Sequence, residues 1–283
     1  MDGETRLGLA LGSGGASGLA HILALEAFEE LGLRPALIAG TSIGAVFGAL
    51  SASGRTAEEI RGIVDDLLIR KQDSWKDIVL KKDLFQWLGF IDPKLGQGGL
   101  IAGEALLSFL AEQIPAATFE ELATPLAVVA TDFWERDQHV FESGELLSAI
   151  QASMALPGLF TPVRRDGRIL IDGGAVNPVP YDILCQRCQL TVAVDVAGRK
   201  SPKQELSFLE TLFNTFQIMQ QTIVRCKDAV RPPDIMVRPD IIDVRTLEFH
   251  KIDTILDQAR PVKEQLKRDL DERLRNTPSR QNR

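Results

Sequence analysis

Residues 7–54, LGLALGSGGASGLAHILALEAFEELGLRPALIAGTSIGAVFGALSASG, decide the fold. Residues 7–11 form a short apolar run ended by a Gly/Ser cluster, the pattern of a buried strand. Leu19, Ile22, Leu23, Ala27, Phe28 and Leu31 then recur at helical spacing, and Gly32 stops that helix. Residues 36–40 predict a second strand. Ile43, Val46, Phe47 and Leu50 predict another helix, ended near Gly54. Strand, helix and strand in so short a span make a βαβ unit, which implies a parallel sheet with right-handed crossovers.

Working outward, apolar runs at 126–130, 169–171, 191–196 and 235–237 extend this sheet. Helical periodicity lies between them, as in Leu106, Phe109 and Leu110, and in Phe208, Leu212, Phe213, Phe216, Met219 and Ile223. A closing helix shows Ile252, Ile255, Leu256, Ala259, Val262, Leu266, Leu270 and Leu274. With no repeat and no low-complexity linker, the expectation is one α/β domain over 1–275 with a polar tail at 276–283. Residues 74–100 stand apart. They hold Trp75, Phe85, Trp87, Leu88, Phe90 and Ile91 among Lys81, Lys82 and Lys94, then Gly96, Gly98 and Gly99. Two readings stay open for this stretch: an insertion packed on the core, or a lid-like flap beside an apolar substrate.

Composition narrows the classes. The 283 residues suffice for a full apolar core. Hydrophobic residues at 45% and charged residues at 25% are ordinary for a globular chain, which argues against disorder or a disulfide scaffold. A net charge of −7 and aromatics at only 6% give no drive toward nucleic acid. The basic end, with seven Lys/Arg against four Asp/Glu from residue 261 onward, reads as a solvated, frayed terminus. Cys185, Cys188 and Cys226 lack the second pair a zinc ribbon needs, so they read as reduced thiols. No window is long and apolar enough to span a membrane, and the start carries Asp2 and Glu4 without a secretory pattern. A cytoplasmic protein, at most peripheral to a membrane, is the expectation.

Three local signals carry chemistry. Gly40-Thr41-Ser42-Ile43-Gly44 is a G-x-S-x-G between an apolar strand and an apolar-periodic helix, the context of a nucleophile elbow. Its glycines suit a turn too tight for side chains, with the serine hydroxyl at the apex. Gly12-Ser13-Gly14-Gly15-Ala16-Ser17-Gly18 follows the first strand, and its N–H groups can cradle an anion. A dinucleotide fingerprint is disfavoured, because the third glycine falls one place late and no acid closes the second strand. Gly14 and Gly15 facing Ser42 as an oxyanion hole is the other reading. For the base, His21, His139 and His250 each read as ordinary helix or strand residues. A Ser-His-Asp arrangement through His250 is conceivable, but this elbow follows the second strand, earlier than in an ordinary α/β-hydrolase. Asp172-Gly173-Gly174 directly follows an apolar strand and precedes Asn177-Pro178-Val179-Pro180, which sets Asp172 on the sheet edge that carries Ser42.

Taken in order, these pieces resemble the patatin-like phospholipases, whose motifs are G-G-G-x-[RK]-G, G-x-S-x-G and D-G-[GA]. Here they read Ser13 to Gly18, Gly40 to Gly44 and Asp172 to Gly174. The stretches LAHILALEAFEELGLRPALIAGTSIGA and ATDFWERDQHVFESGELLSAIQASMALPGLFTPV are similar to the bacterial members. The resemblance implies a three-layer α/β sandwich with a mainly parallel central sheet and helices on both faces. It also implies hydrolysis of a lipid or acyl-ester substrate by a Ser42–Asp172 dyad, with no metal and no cofactor. Gly14 and Gly15 would be the oxyanion donors, with Gly12, Ser13, Gly18, Gly40, Gly44, Gly173 and Gly174 shaping the loops. Membrane contact would fall to Trp75, Phe85, Trp87 and Phe90. One residue departs from the pattern: Ser17 stands where the family has Arg or Lys. That departure keeps a second reading open, a lipid-binding regulatory module with weak turnover.

Overall fold

The computed structural model describes residues 5–79, 98–201 and 208–276, with residues 69–79, 98–105 and 208–209 as backbone alone. Its strands are β1 (Leu7–Leu11), β2 (Leu37–Thr41), β3 (Leu126–Asp132), β4 (Asp137–Phe141), β5 (Val163–Arg165), β6 (Arg168–Asp172), β7 (Leu190–Val194) and β8 (Ile235–Val237). The helices are α1 (His21–Glu30), α2 (Ile43–Ala52), α3 (Ala57–Val79), α4 (Gly98–Gln113), α5 (Leu146–Ser153), α6 (Phe208–Val230) and α7 (Ile252–Asn276). A 3-10 turn, Gly15–Ala20, leads into α1, so the first helix starts earlier and more tightly wound than its periodicity predicts.

Strands β3, β2, β1, β7 and β8 lie side by side and parallel, with β1 at the centre. Side chains alternate between the two faces. Leu7, Leu9 and Leu11, with Ile38, Val128, Val192 and Val194, face the larger core beneath α1, α2, α5 and α7. Ala10, Ala39, Ala127 and Ala193 face the other way. Those small residues let Val179, Tyr181 and Leu184, and Val224 of α6, approach the sheet closely. The result is three layers, α/β/α, unequal in thickness because one face of the sheet is bulky and the other is nearly smooth.

The apolar run at 169–171 extends the sheet as expected, and β6 runs antiparallel to β3, so the sheet is mainly and not wholly parallel. Strand β4 pairs residues 128–132 of β3, β6 pairs residues 130–132, and β2 pairs residues 126–129. A strand has only two edges, and β4 overlaps both of the others. Therefore β2 and β6 share the edge opposite β4 and meet end to end. Thr41 pairs with Val129, and Asp172 pairs with the next residue, Ala130. The carboxyl ends of two strands thus converge from opposite directions on one point of β3.

The expected insertion at 74–100 is not bounded by element ends. Residues 74–79 continue α3, and residues 98–100 open α4. Phe85, Trp87 and Phe90 lie outside the described residues, as do the side chain of Trp75 and the tail beyond Asn276. Among the described residues no helix is long and apolar enough to cross a membrane.

Candidate active site

Beyond Thr41 the chain turns from β2 straight into α2 through Ser42, whose φ of 55° and ψ of −122° are a left-handed conformation. An L-residue held there is strained, and such strain concentrates at functional turns. The flanking glycines are required by crowding. A Cβ on Gly44 would stand 2.1 Å from the Leu11 carbonyl oxygen, and one on Gly40 2.6 Å from the Gly44 carbonyl oxygen.

Ser42 is half-buried, and its Oγ donates to Asp172 Oδ2 at 2.6 Å. Asp172 is 2% exposed. Its other oxygen, Oδ1, accepts the Gly174 N–H at 2.7 Å. Burial pushes the Asp172 carboxyl up to about 6, against the hydrogen bonds from Ser42 and Gly174 that pull it down. This carboxylate is thus a stronger base than an exposed one and is still ionised at neutral pH.

Sequence reasoning missed the hydroxyls that brace this pair. The Ser42 N–H donates to Ser153 Oγ at 2.8 Å, and Ser153 Oγ donates to the Val129 carbonyl at 2.6 Å. Thr131 Oγ1 donates to the Asp172 carbonyl at 2.9 Å, and the Asp172 N–H to the Ala155 carbonyl at 3.0 Å. Ser153 lies in the stretch that resembles the bacterial family members, yet a serine 111 residues from Ser42 carries no local sign of this contact.

The glycine loop is anchored from three sides. Gly12 N–H donates to the Val194 carbonyl, Ser13 N–H to Pro178 and Ala16 N–H to Thr246. Gly14 packs on Val196, Gly15 on Thr246 and Gly18 on Ile43. Among the described hydrogen bonds neither the Gly14 nor the Gly15 N–H has a protein acceptor. The loop at 177–179 ties loop and elbow together. Pro178 takes Ser13, and the Asn177 carbonyl takes Thr41 Oγ1 at 2.9 Å. Lys227 of α6 holds that loop through the Val179 carbonyl, the Asn177 side chain and Asp182. Gly173 packs against the Val129 carbonyl where β2 and β6 meet.

The histidines lie elsewhere. His21 is fully buried and hydrogen-bonds the Gly12 carbonyl through Nε2 at 2.8 Å. Burial lowers its pKa to about 4, so it is neutral and braces the loop. His139 stacks edge-on against Phe141, and His250 is exposed. None of the three hydrogen-bonds Ser42 or Asp172 among the described contacts. Ser17 is buried and lies against Gly198. No cluster of His, Cys, Asp or Glu among the described residues could hold a metal ion.

The family model for patatin-like phospholipase matches residues 9–185, more than half of the chain, so the chain belongs to the patatin-like phospholipase family. An uncharacterized NTE family protein of Mycobacterium tuberculosis is 34% identical over 197 residues, covering 69% of this chain and 50% of that protein. The human patatin-like phospholipase domain-containing protein 6 is 27% identical over 287 residues, covering 91% of this chain and 20% of that one. The chain therefore spans about half the length of the mycobacterial relative and a fifth of the human one. In fold it is similar to VipD from Legionella pneumophila, with a TM-score of 0.55 at 15% identity, covering 94% of this chain and 67% of that chain.

Two outcomes test the geometry. Ser153→Ala removes both the acceptor of the Ser42 N–H and the hydroxyl donor to the Val129 carbonyl, which costs about 1–3 kcal/mol in urea unfolding. Asp172→Asn acts in the opposite sense. Between pH 3.8 and about 6 the native carboxyl holds its proton more tightly than the unfolded one, so stability falls as pH rises through that window. Asp172→Asn should therefore raise the melting temperature at pH 8, with the gain vanishing below pH 4, as followed by circular dichroism.

Proposed function

We propose that this chain is a lipid acyl hydrolase of phospholipase A or esterase type, cleaving carboxylic esters through a Ser42–Asp172 dyad and an acyl-enzyme. The observation that carries the proposal is the 2.6 Å hydrogen bond from the strained, half-buried Ser42 to a buried carboxylate. Ser42 Oγ attacks the ester carbonyl while Asp172 takes its proton. The carbonyl oxygen becomes an oxyanion facing the Gly14 and Gly15 N–H groups, each such donor being worth about 3 kcal/mol in related chemistry. The bond from carbonyl carbon to alcohol oxygen then breaks, and Asp172 returns the proton to the leaving oxygen. Water enters, gives a proton to Asp172 and releases the acid as Ser42 recovers its hydrogen. An aspartate serves as base here because burial raises its affinity for that proton. The family to which the chain belongs supports a lipid ester as substrate.

A second reading, a lipid-binding regulatory module with weak turnover, rests on Ser17 in the position of the family's cation. Ser17→Arg separates the two readings. Hydrolysis as the native task predicts no gain in kcat beyond about threefold. A rise of tenfold or more would favour the module.

Assays on a medium-chain acyl ester test the dyad. Ser42→Ala and Asp172→Asn should each lower kcat by about 10³-fold or more. The wild-type kcat/KM should rise with pH through an apparent pKa near 6 and then level off, because the base acts only when ionised. Full activity in either purified variant would remove the dyad.

A further inference from the structure

Ser13 is a motif residue whose side chain the mechanism does not use. It is 6% exposed, and its Oγ is shielded and has no hydrogen-bond partner. Buried hydroxyls without a partner are rare in native structures, and each calls for a reason. The surroundings of Ser13 supply one. At Gly174 a Cβ would stand 2.1 Å from Gln220 Nε2, 2.9 Å from Asp172 Oδ1 and 3.1 Å from Ser13 Oγ. Three polar atoms from three distant segments therefore converge over a residue with no side chain. Gln220 reaches this niche from α6 and is itself 8% exposed.

The niche lies on the flank of Asp172 away from the oxygen that Ser42 engages. Resting on the acyl-hydrolase reading, the chemistry fixes which part of an ester meets it. Asp172 Oδ2 takes the Ser42 proton and returns it to the leaving oxygen, so the alcohol half starts at Oδ2 and reaches the niche by extending across the carboxylate toward Oδ1. The carbonyl oxygen turns to Gly14 and Gly15 instead. We propose that the Ser13 hydroxyl and the Gln220 amide form a subsite for the alcohol half of the substrate. Gln220 turns aside as the alcohol enters. Both groups then donate to an acceptor oxygen close to the ester, as a glycerol backbone or its phosphate presents. An alkyl alcohol leaves the two donors unmet, and a site built to hydrogen-bond a polar group rejects the analogue that lacks it.

The test compares kcat/KM for monooctanoylglycerol, for its glycerol phosphate counterpart and for ethyl octanoate. The proteins are wild type, Ser13→Ala and Gln220→Leu. The readout is the ratio of each polar ester to the ethyl ester. The subsite predicts a ratio at least tenfold lower in both variants, with a Ser13→Ala melting temperature equal to or above wild type, because an unmet hydroxyl is removed. A fall for both polar esters identifies a glycerol oxygen as the acceptor, and a fall for the phosphate ester alone identifies the phosphate. Ratios within threefold of wild type for both polar esters would overturn the subsite, as would equal losses on all three esters. If one variant fails to fold, the other carries the same prediction. A wild type inert on every ester would overturn the acyl-hydrolase reading itself, a result distinct from an active wild type whose ratio does not respond.

Discussion

The site depends on one constraint, the end-to-end meeting of β2 and β6 along a single edge of β3. Between Val129 and Ala130 the partner of β3 changes from parallel β2 to antiparallel β6. Side-chain hydroxyls bond the carbonyls at that change, Ser153 on the Val129 carbonyl and Thr131 on the Asp172 carbonyl. These bonds also aim the two chain ends. They hold Ser42 at the tip of β2 and Asp172 at the tip of β6, with the two side chains touching. A residue in a strained conformation persists only when its surroundings over-determine it. Here its N–H goes to Ser153, its Oγ goes to Asp172, and glycines on both sides remove the clashes.

The same junction accounts for the electrostatics. Asp172 ends a strand inside the sheet, so water is excluded from it and the carboxyl is held at about 6. An exposed aspartate would be a weak base, and one buried without donors would stay protonated. The hydrogen bonds from Ser42 and Gly174 keep it between these limits. The cost is a charge buried at neutral pH, the exchange of stability for function that the proposed role of Asp172 would require. His21 shows the other outcome of burial: it is driven neutral and serves only to hold the Gly12 carbonyl.

Much of this was legible in the sequence because it is local. The βαβ unit, the elbow around Ser42 and the glycine loop each lie within a few residues, where glycine spacing and apolar period report directly on backbone geometry. The direction of β6 was not legible, since a five-residue apolar strand reads the same in either sense. Ser153, Thr131 and Gln220 were invisible for a related reason. Each meets the site across a long stretch of chain, and a single Ser, Thr or Gln carries no pattern. The helices that run into the stretch at 74–100 from either side were not legible, because aromatic composition marks a distinctive stretch and not the end of a helix.

The most direct measurement is the site and rate of covalent modification by a fluorophosphonate, mapped by mass spectrometry of the digested protein. A Ser42–Asp172 dyad predicts a single adduct on the peptide holding Ser42, formed at least a hundredfold more slowly in Asp172→Asn at pH 8. An adduct on another residue, or equal labelling rates in the two proteins, would contradict it.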